Sequence, residues 1–118
     1  MTRKHAINDA EAHVVTSHGA DFFGEDRHTL KSLTSLAGYA EGCLSRDEQG
    51  PVVLLLSNPG EGGTMTPGQA AEVSTLLHKL ARHRFVRAKE SAVAHALADA
   101  ATRAAEAGEP WEWRIEAA

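Results

Sequence analysis

The pattern of apolar and polar positions predicts six regular elements, and these are organised around residues 51–57. This segment is the only continuous apolar run in the chain. It is short, includes two β-branched residues and lies between two turn-forming sequences, Gly50-Pro51 and Asn58-Pro59-Gly60. Because its apolar residues do not alternate with polar ones, we expect a strand that is covered on both faces at the centre of a sheet.

Two other segments predict strands. Residues 12–17 contain adjacent valines that would point to opposite faces of a short strand. Residues 111–116 alternate in polarity and place Trp111, Trp113 and Ile115 on one face of a half-buried strand, which we expect at the edge of the sheet. Since a strand, a helix and a second strand follow one another up to residue 57, the pattern predicts a right-handed βαβ crossover between parallel strands.

Three helices are predicted from apolar residues that repeat at three- and four-residue spacing. They extend over about residues 26–44, 66–82 and 89–107. The second has the clearest start, because Thr66-Pro67-Gly68-Gln69 matches a capping box with proline in the first turn. We expect Phe85 and Val86, which follow this helix, to pack inward.

The length of 118 residues suits one domain with its own hydrophobic core. We predict an α/β fold, with α+β as the alternative, in which a three-stranded sheet is packed by three helices over residues 12–118 in the order βαβααβ. Residues 1–11 are polar and we expect them to be flexible. One cysteine, a start without an apolar signal region and the lack of an apolar run of membrane-spanning length favour a cytoplasmic location.

Parallel strands would bring the loops at residues 17–26 and 57–66 to the same side of the sheet, where open α/β folds bind ligands. We expect the first loop to be anchored by at least one buried phenylalanine of the pair Phe22-Phe23. The residues that the two loops offer to a ligand are His18, Asp21, Ser57, Asn58, Gly62 and Gly63.

The residues of these loops suggest three kinds of chemistry, but none of the three is supported by a known sequence motif. The glycine-rich loop before a helix could bind an anion, but it lacks the P-loop and dinucleotide signatures. His18, Asp21 and His28 are metal-ligating residue types at a spacing that matches no metal motif. His18 could act as a base for Ser17 or Ser57, but no nucleophile motif is present. The sequence therefore assigns no catalytic residue, no metal and no cofactor.

The densest group of positive charge follows residue 78. It consists of Lys79, Arg82, Arg84, Arg87 and Lys89, in a chain whose formal net charge is −4. Such a patch can contact the phosphates of nucleic acid or an acidic protein, although basic side chains at the end of a helix also complement its dipole. The negative net charge gives no general attraction to nucleic acid or to an anionic membrane.

Three short segments carry a resemblance to a family. They are Ser-His-Gly at residues 17–19, Asp-Phe-Phe-Gly at residues 21–24 and Gly-Glu-Pro-Trp-Glu-Trp at residues 108–113. With these segments the chain resembles small uncharacterised proteins of actinomycetes such as Streptomyces. The resemblance implies a source and a family, and it brings no activity, cofactor or site residue with it.

The function that the sequence favours is that of a non-enzymatic interaction or regulatory protein. Its partner would be another protein or a second copy, and no membrane is expected. Trp111 and Trp113 would then either cover the core or complete a homodimer interface. Two alternatives stay open: a small-ligand-binding protein or minor enzyme that uses the two loops, and a nucleic-acid-associated factor that uses residues 79–89.

Overall fold

The computed structural model describes residues 13–57 and 63–116, apart from the side chains of Pro51 and Leu54. The predicted flexible segment at residues 1–11 lies outside this range. The described residues form four strands and four helices in the order ββααβααβ. The strands are β1 (His13–Ser17), β2 (Glu25–Thr29), β3 (Thr64–Met65) and β4 (Trp111–Glu116), and the helices are α1 (Leu30–Cys43), α2 (Arg46–Ser57), α3 (Pro67–Ala81) and α4 (Ala88–Ala107).

The four strands form one antiparallel sheet in the order β2-β1-β4-β3. β1 is confirmed as the first strand, and it pairs with β2 on one edge and with β4 on the other. β4 is confirmed as the last strand, but its expected location at the edge is wrong, because β3 pairs with its first half. The predicted parallel βαβ crossover and three-stranded sheet are also wrong. The architecture is therefore that of a single small α+β domain.

Residues 51–57 belong to helix α2, so the prediction of a central strand is wrong. The helix is started by a capping box: the Glu48 amide donates to Ser45 Oγ at 3.3 Å, and the Ser45 amide donates to Glu48 Oε1 at 3.0 Å. Val52, Leu55 and Leu56 are buried, which is the spacing of one helical face. Burial of this face against the neighbouring helices outweighs the strand-like composition of the run.

Strand β2 occupies residues that were predicted to begin the first helix. Its sequence, Glu25-Asp26-Arg27-His28-Thr29, contains no apolar residue to indicate a strand. Helix α1 starts after it, where Thr29 Oγ1 accepts from the Ser32 amide at 3.1 Å. The predicted apolar stripe of α1 is nevertheless correct, since Leu33, Ala37 and Ala40 are buried.

Helices α3 and α4 are confirmed nearly as predicted. The capping box of α3 is complete, with the Gln69 amide 3.2 Å from Thr66 Oγ1 and the Thr66 amide 3.0 Å from Gln69 Oε1. Helix α4 ends at Ala107 and is capped by Gly108, which has the left-handed φ of 67° that glycine supplies readily. The alanines of α4 allow α3 to approach closely, so that Ser74 Oγ donates to the Ala98 carbonyl across the pair at 3.2 Å.

The helices cover one face of the sheet, and the core lies between them. Trp111 and Trp113 of β4 and Val14 of β1 point into this core from the sheet. The opposite face carries an ion-pair network in which Arg27 binds Glu116, and Arg114 binds both Glu25 and Glu116. No helix in the described part of the chain is long and apolar enough to cross a membrane.

The capping box of α3 provides a test of this local structure. Thr66→Ala removes the acceptor for the Gln69 amide, and we expect it to lower the free energy of unfolding by about 1 kcal/mol. Thr75→Ala is the matched control, because Thr75 is an exposed threonine within the same helix. Urea denaturation of the two variants measures the difference, and an equal effect of both would contradict the cap.

Candidate functional site

The most exposed large apolar side chains of the described structure lie at the tip of the β1–β2 hairpin. We call residues 18–24, between β1 and β2, the hairpin tip. Phe22 is 94% exposed and Phe23 is 79% exposed. Their rings contact each other edge to face, with centroids 5.3 Å apart. The expectation that this loop is anchored by a buried phenylalanine is therefore wrong.

The hairpin tip is held by its own hydrogen bonds rather than by apolar burial. Asp21 Oδ1 accepts from the amides of Phe23 and Glu25, both at 2.8 Å, as in an Asx turn. Asp26 Oδ1 accepts from the Ala20 amide at 3.0 Å, and the Gly19 amide donates to the Gly24 carbonyl at 2.9 Å. These bonds fix the backbone on both sides of the two phenylalanines.

Gly19 makes this tight turn possible. A Cβ atom at this position would lie 2.2 Å from the carbonyl carbon of Glu25 and 2.3 Å from the amide nitrogen of Asp26. No side chain fits at such distances, so the backbones of the loop and of β2 can approach only because residue 19 is glycine.

His18 connects the hairpin tip to the body of the domain. Its Nε2 lies 2.9 Å from Glu109 Oε1, and its Nδ1 lies 2.9 Å from Ser17 Oγ. Arg103 Nε donates to the His18 carbonyl at 2.7 Å, which adds a contact from the end of α4. His18 also has a positive φ of 59°, a backbone conformation that is uncommon for residues other than glycine. The contacts to α4 and to the residues after it hold this conformation in place.

The row of Ser17, His18 and Glu109 has the order of groups seen in serine hydrolases, but its surroundings indicate a structural role. The Glu112 amide donates to Ser17 Oγ at 2.9 Å, so this oxygen already links β1 to β4. In a neutral His18 ring, the Ser17 hydroxyl donates to Nδ1 and Nε2 donates to Glu109. Ser17, His18 and Glu109 are thus linked by hydrogen bonds, and we assign them the structural role of stabilising the hairpin.

A group of buried polar atoms lies below the hairpin tip on the helix-facing side of the sheet. Thr16 pairs directly with Asp26 on one side and with Trp113 on the other, and His28 follows two residues after Asp26. Thr16 Oγ1, Asp26 Oδ2, His28 Nε2 and Trp113 Nε1 have no hydrogen-bond partner among the described residues. Burial lowers the pKa of His28 from its ordinary value, and the Asp26 carboxylate opposes this effect in part.

The predicted ligand-binding residues were expected to lie together because residues 51–57 were predicted to form a strand parallel to β1, and that strand is absent from the described residues. His18 and Asp21 both lie at the hairpin tip, where they hold the backbone. Ser57 is the exposed last residue of α2, and Asn58 and Gly62 lie outside the described residues. Gly63 lies beside β4, where its carbonyl accepts from the Trp113 amide at 2.7 Å. In the described part of the chain, no three His, Cys, Asp or Glu side chains are arranged to hold a metal ion.

The predicted basic residues lie at the other end of α4, around the turn from α3. Lys79 is bound to Glu48 at 2.8 Å, which lowers the pKa of that carboxyl group. The others, Arg82, Arg84, Arg87 and Lys89, are exposed. Phe85 in the same turn is 66% exposed, so the expectation that it packs inward is wrong, whereas Val86 is buried.

Trp111 and Trp113 lie in the core of the chain, at 0% and 4% exposure. Their rings meet edge to face with centroids 5.1 Å apart, and Trp111 Nε1 donates to the Ser17 carbonyl at 3.0 Å. The sequence left two roles open for these residues, which were to cover the core or to complete a homodimer interface. In the structure both side chains are buried in the core of the chain.

Phe22 and Phe23 were missed as site residues because apolar side chains in a loop were assumed to be buried. A signal was present in the sequence: their neighbours are Asp21 and Gly24, which form turns by local hydrogen bonds and by positive φ. A loop that stabilises its own backbone needs no buried anchor.

The tight contact at Gly19 predicts a strong effect of a single methyl group. We expect Gly19→Ala to lower the free energy of unfolding by about 3 kcal/mol, since the backbones of the loop and of β2 must separate. Gly24→Ala is the control, because it faces open space and incurs only the strain of its positive φ, about 1 kcal/mol. Urea denaturation measures both, and a smaller loss for Gly19→Ala than for Gly24→Ala would contradict this geometry.

The low pKa of His28 predicts that its contribution to stability depends on pH. Because the unfolded chain binds a proton at this residue more readily than the folded chain, the contribution of His28 to the stability of the protein falls as the pH drops below about 6.5. His28→Gln removes this proton site, so its stability should decrease less than that of the wild-type protein between neutral and mildly acidic pH. Thermal midpoints across this range measure the difference, and parallel curves would contradict the prediction.

Comparison with known proteins places the chain in a family. No curated protein and no solved structure matches it. A family model matches residues 19–114, from the hairpin tip through most of β4, and it is described as a domain of unknown function. The chain therefore belongs to the DUF7739 family.

Proposed function

We propose that this protein is a small non-enzymatic interaction or regulatory protein that binds a protein partner through its hairpin tip. The proposal places it in the cytoplasm, in keeping with its single cysteine, and in actinomycetes, in keeping with the resemblance described above. The observation that carries it is the exposure of two adjacent phenylalanines, Phe22 and Phe23, on a loop whose backbone is fixed by hydrogen bonds.

Exposed aromatic side chains of this kind supply much of the binding energy in protein interfaces. They bury a large apolar area and lose little conformational freedom on binding. Phe22 and Phe23 contribute almost nothing to the core, because both are more than three-quarters exposed. Their apolar surface is therefore available to a partner at no loss to the fold.

The internal hydrogen bonds of the hairpin tip favour binding for a second reason. A flexible loop must be ordered when it binds, which reduces affinity. Here Asp21, Asp26 and Gly19 already hold the backbone in one conformation. A partner would therefore bind two aromatic side chains on a backbone that is already ordered. Less of the free energy of binding would then be lost in ordering the loop.

The negative charges around the hairpin tip favour a partner with positively charged residues at its binding surface. Asp21 is exposed at the tip, and Glu109, whose side chain is 61% exposed, lies against His18. An apolar pocket bordered by lysine or arginine complements such a surface. The same carboxylates disfavour an anionic membrane as the target, although exposed aromatic residues can insert into lipid.

The two alternatives from the sequence have different support. The ligand-binding protein or minor enzyme loses its geometric basis, because the expected parallel strands are absent from the described sheet. A homodimer formed through the hairpin tip stays compatible with the proposal, and a second copy would then be the partner. The basic residues lie on a separate surface, which is treated below.

Removal of the two rings tests the proposed function. A photo-crosslinking amino acid at position 23, introduced in cells that express the protein, should capture the partner for identification by mass spectrometry. With the purified partner, we expect Phe22→Ala and Phe23→Ala each to weaken binding by about 30-fold or more, as for interface anchors. Calorimetric titration measures the affinity.

Ile115→Ala is the matched control, because Ile115 is a large apolar residue that is 47% exposed on the sheet. It should leave the affinity unchanged. If crosslinks form equally from position 115, or if both phenylalanine variants bind as the wild type does, the proposal is wrong. If the crosslinked partner is a second copy, sedimentation should show a dimer that the two variants lose.

A further inference from the structure

The end of the domain opposite the hairpin tip carries a second unusual surface. We call residues 82–89, which connect α3 to the first turn of α4, the basic turn. Contacts from Arg103 and Glu109 place the hairpin tip at the C-terminal end of α4, whereas the basic turn lies at its N-terminal end. The 20 residues of α4 correspond to a length of about 30 Å. The two surfaces are therefore separate, and they can act independently.

The basic turn is an ordered structure. The Val86 amide donates to the His83 carbonyl at 3.0 Å, and the Val86 side chain is buried. Ser91 Oγ donates to the Ala81 carbonyl at 2.6 Å and closes the connection between the two helices. The side chains around Val86 are thus presented from a fixed backbone.

Phe85 forms an exposed aromatic surface within this positive region. It is 66% exposed, and the Arg84 guanidinium carbon lies 5.0 Å from the centre of its ring. The His83 ring is 5.3 Å from the Phe85 ring and tilted by 43°. A guanidinium beside an exposed ring combines a cation with a flat apolar surface, which suits a ligand that carries both negative charge and aromatic rings.

The positive charges of the basic turn are not engaged by the described acidic residues. Arg82, Arg84, Arg87 and Lys89 form no ion pair with any described side chain, whereas Arg27, Arg114 and Lys79 elsewhere in the chain do. Glu90 is the only acidic residue between positions 78 and 90. The basic turn is therefore a local concentration of positive charge on an acidic protein.

We propose that the basic turn binds single-stranded nucleic acid, with a base stacked on Phe85 and phosphates bound by the surrounding arginines. Proteins that bind single strands combine aromatic side chains with a positive surface in this way. Duplex recognition by α4 fits less well, because Glu90, Asp99 and Glu106 are among its polar positions and their negative charges make it a poor recognition helix. An acidic protein segment would pair with the arginines but has no need of the exposed ring.

Binding to short oligonucleotides tests this proposal directly. Fluorescein-labelled oligo(dT) and oligo(U) of about 12 nucleotides, and a duplex of equal length, are titrated with the full chain in fluorescence anisotropy. We expect both single strands to bind more tightly than the duplex. With about four cations involved, log K should fall with log salt at a slope between about −2 and −3. A preference between the two strands would identify DNA or RNA as the target.

Variants separate stacking from charge. Phe85→Leu, which keeps the apolar volume, should weaken single-strand binding about tenfold, and Phe85→Trp should restore it. Arg84→Ala with Arg87→Ala should weaken binding further and reduce the salt slope. The matched control, Arg27→Ala with Arg114→Ala, removes the same charge from the open face of the sheet and should have little effect.

Three results would overturn the proposal. The first is no single-strand binding at low salt. The second is equal affinity for single strand and duplex with no effect of Phe85→Leu, which indicates general attraction between charges only. The third is displacement of the oligonucleotide by polyglutamate at equal charge concentration, which indicates a site for acidic proteins.

Discussion

The burial of Trp111 is the interaction on which the other parts of the structure depend. Its side chain is fully buried, its ring packs edge to face against Trp113, and its Nε1 donates to the Ser17 carbonyl at the end of β1. Trp111 also begins β4 only a few residues after α4 ends, and it pairs with Met65 of β3. One side chain thus joins the helical layer, the middle of the sheet and the base of the hairpin. Burial of so large an aromatic residue strongly favours folding, and its indole N–H is satisfied at the same time.

The geometry of the hairpin tip follows from this arrangement. Because Trp111 holds the end of β1, the Ser17 side chain is in place to accept from the Glu112 amide, and the His18 ring is in place to contact the Glu109 side chain. The loop beyond them then closes through Asp21 and Asp26, and it leaves the two phenylalanines in solvent. Helix α4 separates this aromatic, acidic end from an aromatic, basic end. The domain therefore carries two exposed aromatic surfaces, one beside Asp21 and Glu109 and the other beside Arg82, Arg84 and Arg87.

Local sequence signals predicted the elements whose ends carry their own hydrogen-bonding groups. The capping box at Thr66 and the end of the third helix near residue 107 were predicted correctly, because neighbouring residues supply the contacts there. The strand at residues 111–116 was predicted correctly because its alternation of apolar and polar residues is visible in the sequence. The same type of signal is present at Ser45 and Glu48, where it marks the start of α2, but the apolar run at residues 51–57 led to the prediction of a strand. For the candidate site, the sequence identified the loop at residues 17–26 and assigned its polar residues to a ligand. In the structure, Asp21 and Asp26 hold the backbone of this loop, and the exposed rings between them are the candidate binding groups.

The sequence by itself determined the helices α1, α3 and α4, the strands β1 and β4 and the single domain. These features depend on contacts within a few residues, or on a periodicity that the chain displays directly. Only the tertiary structure decided that residues 51–57 are helical, that β2 is a strand and that the sheet is antiparallel. Residues 25–29 carry no apolar pattern, and they become a strand because β1 supplies hydrogen-bond partners along its free edge. The exposure of Phe22, Phe23 and Phe85 was likewise decided by packing, since an apolar side chain is buried only where other elements converge to cover it.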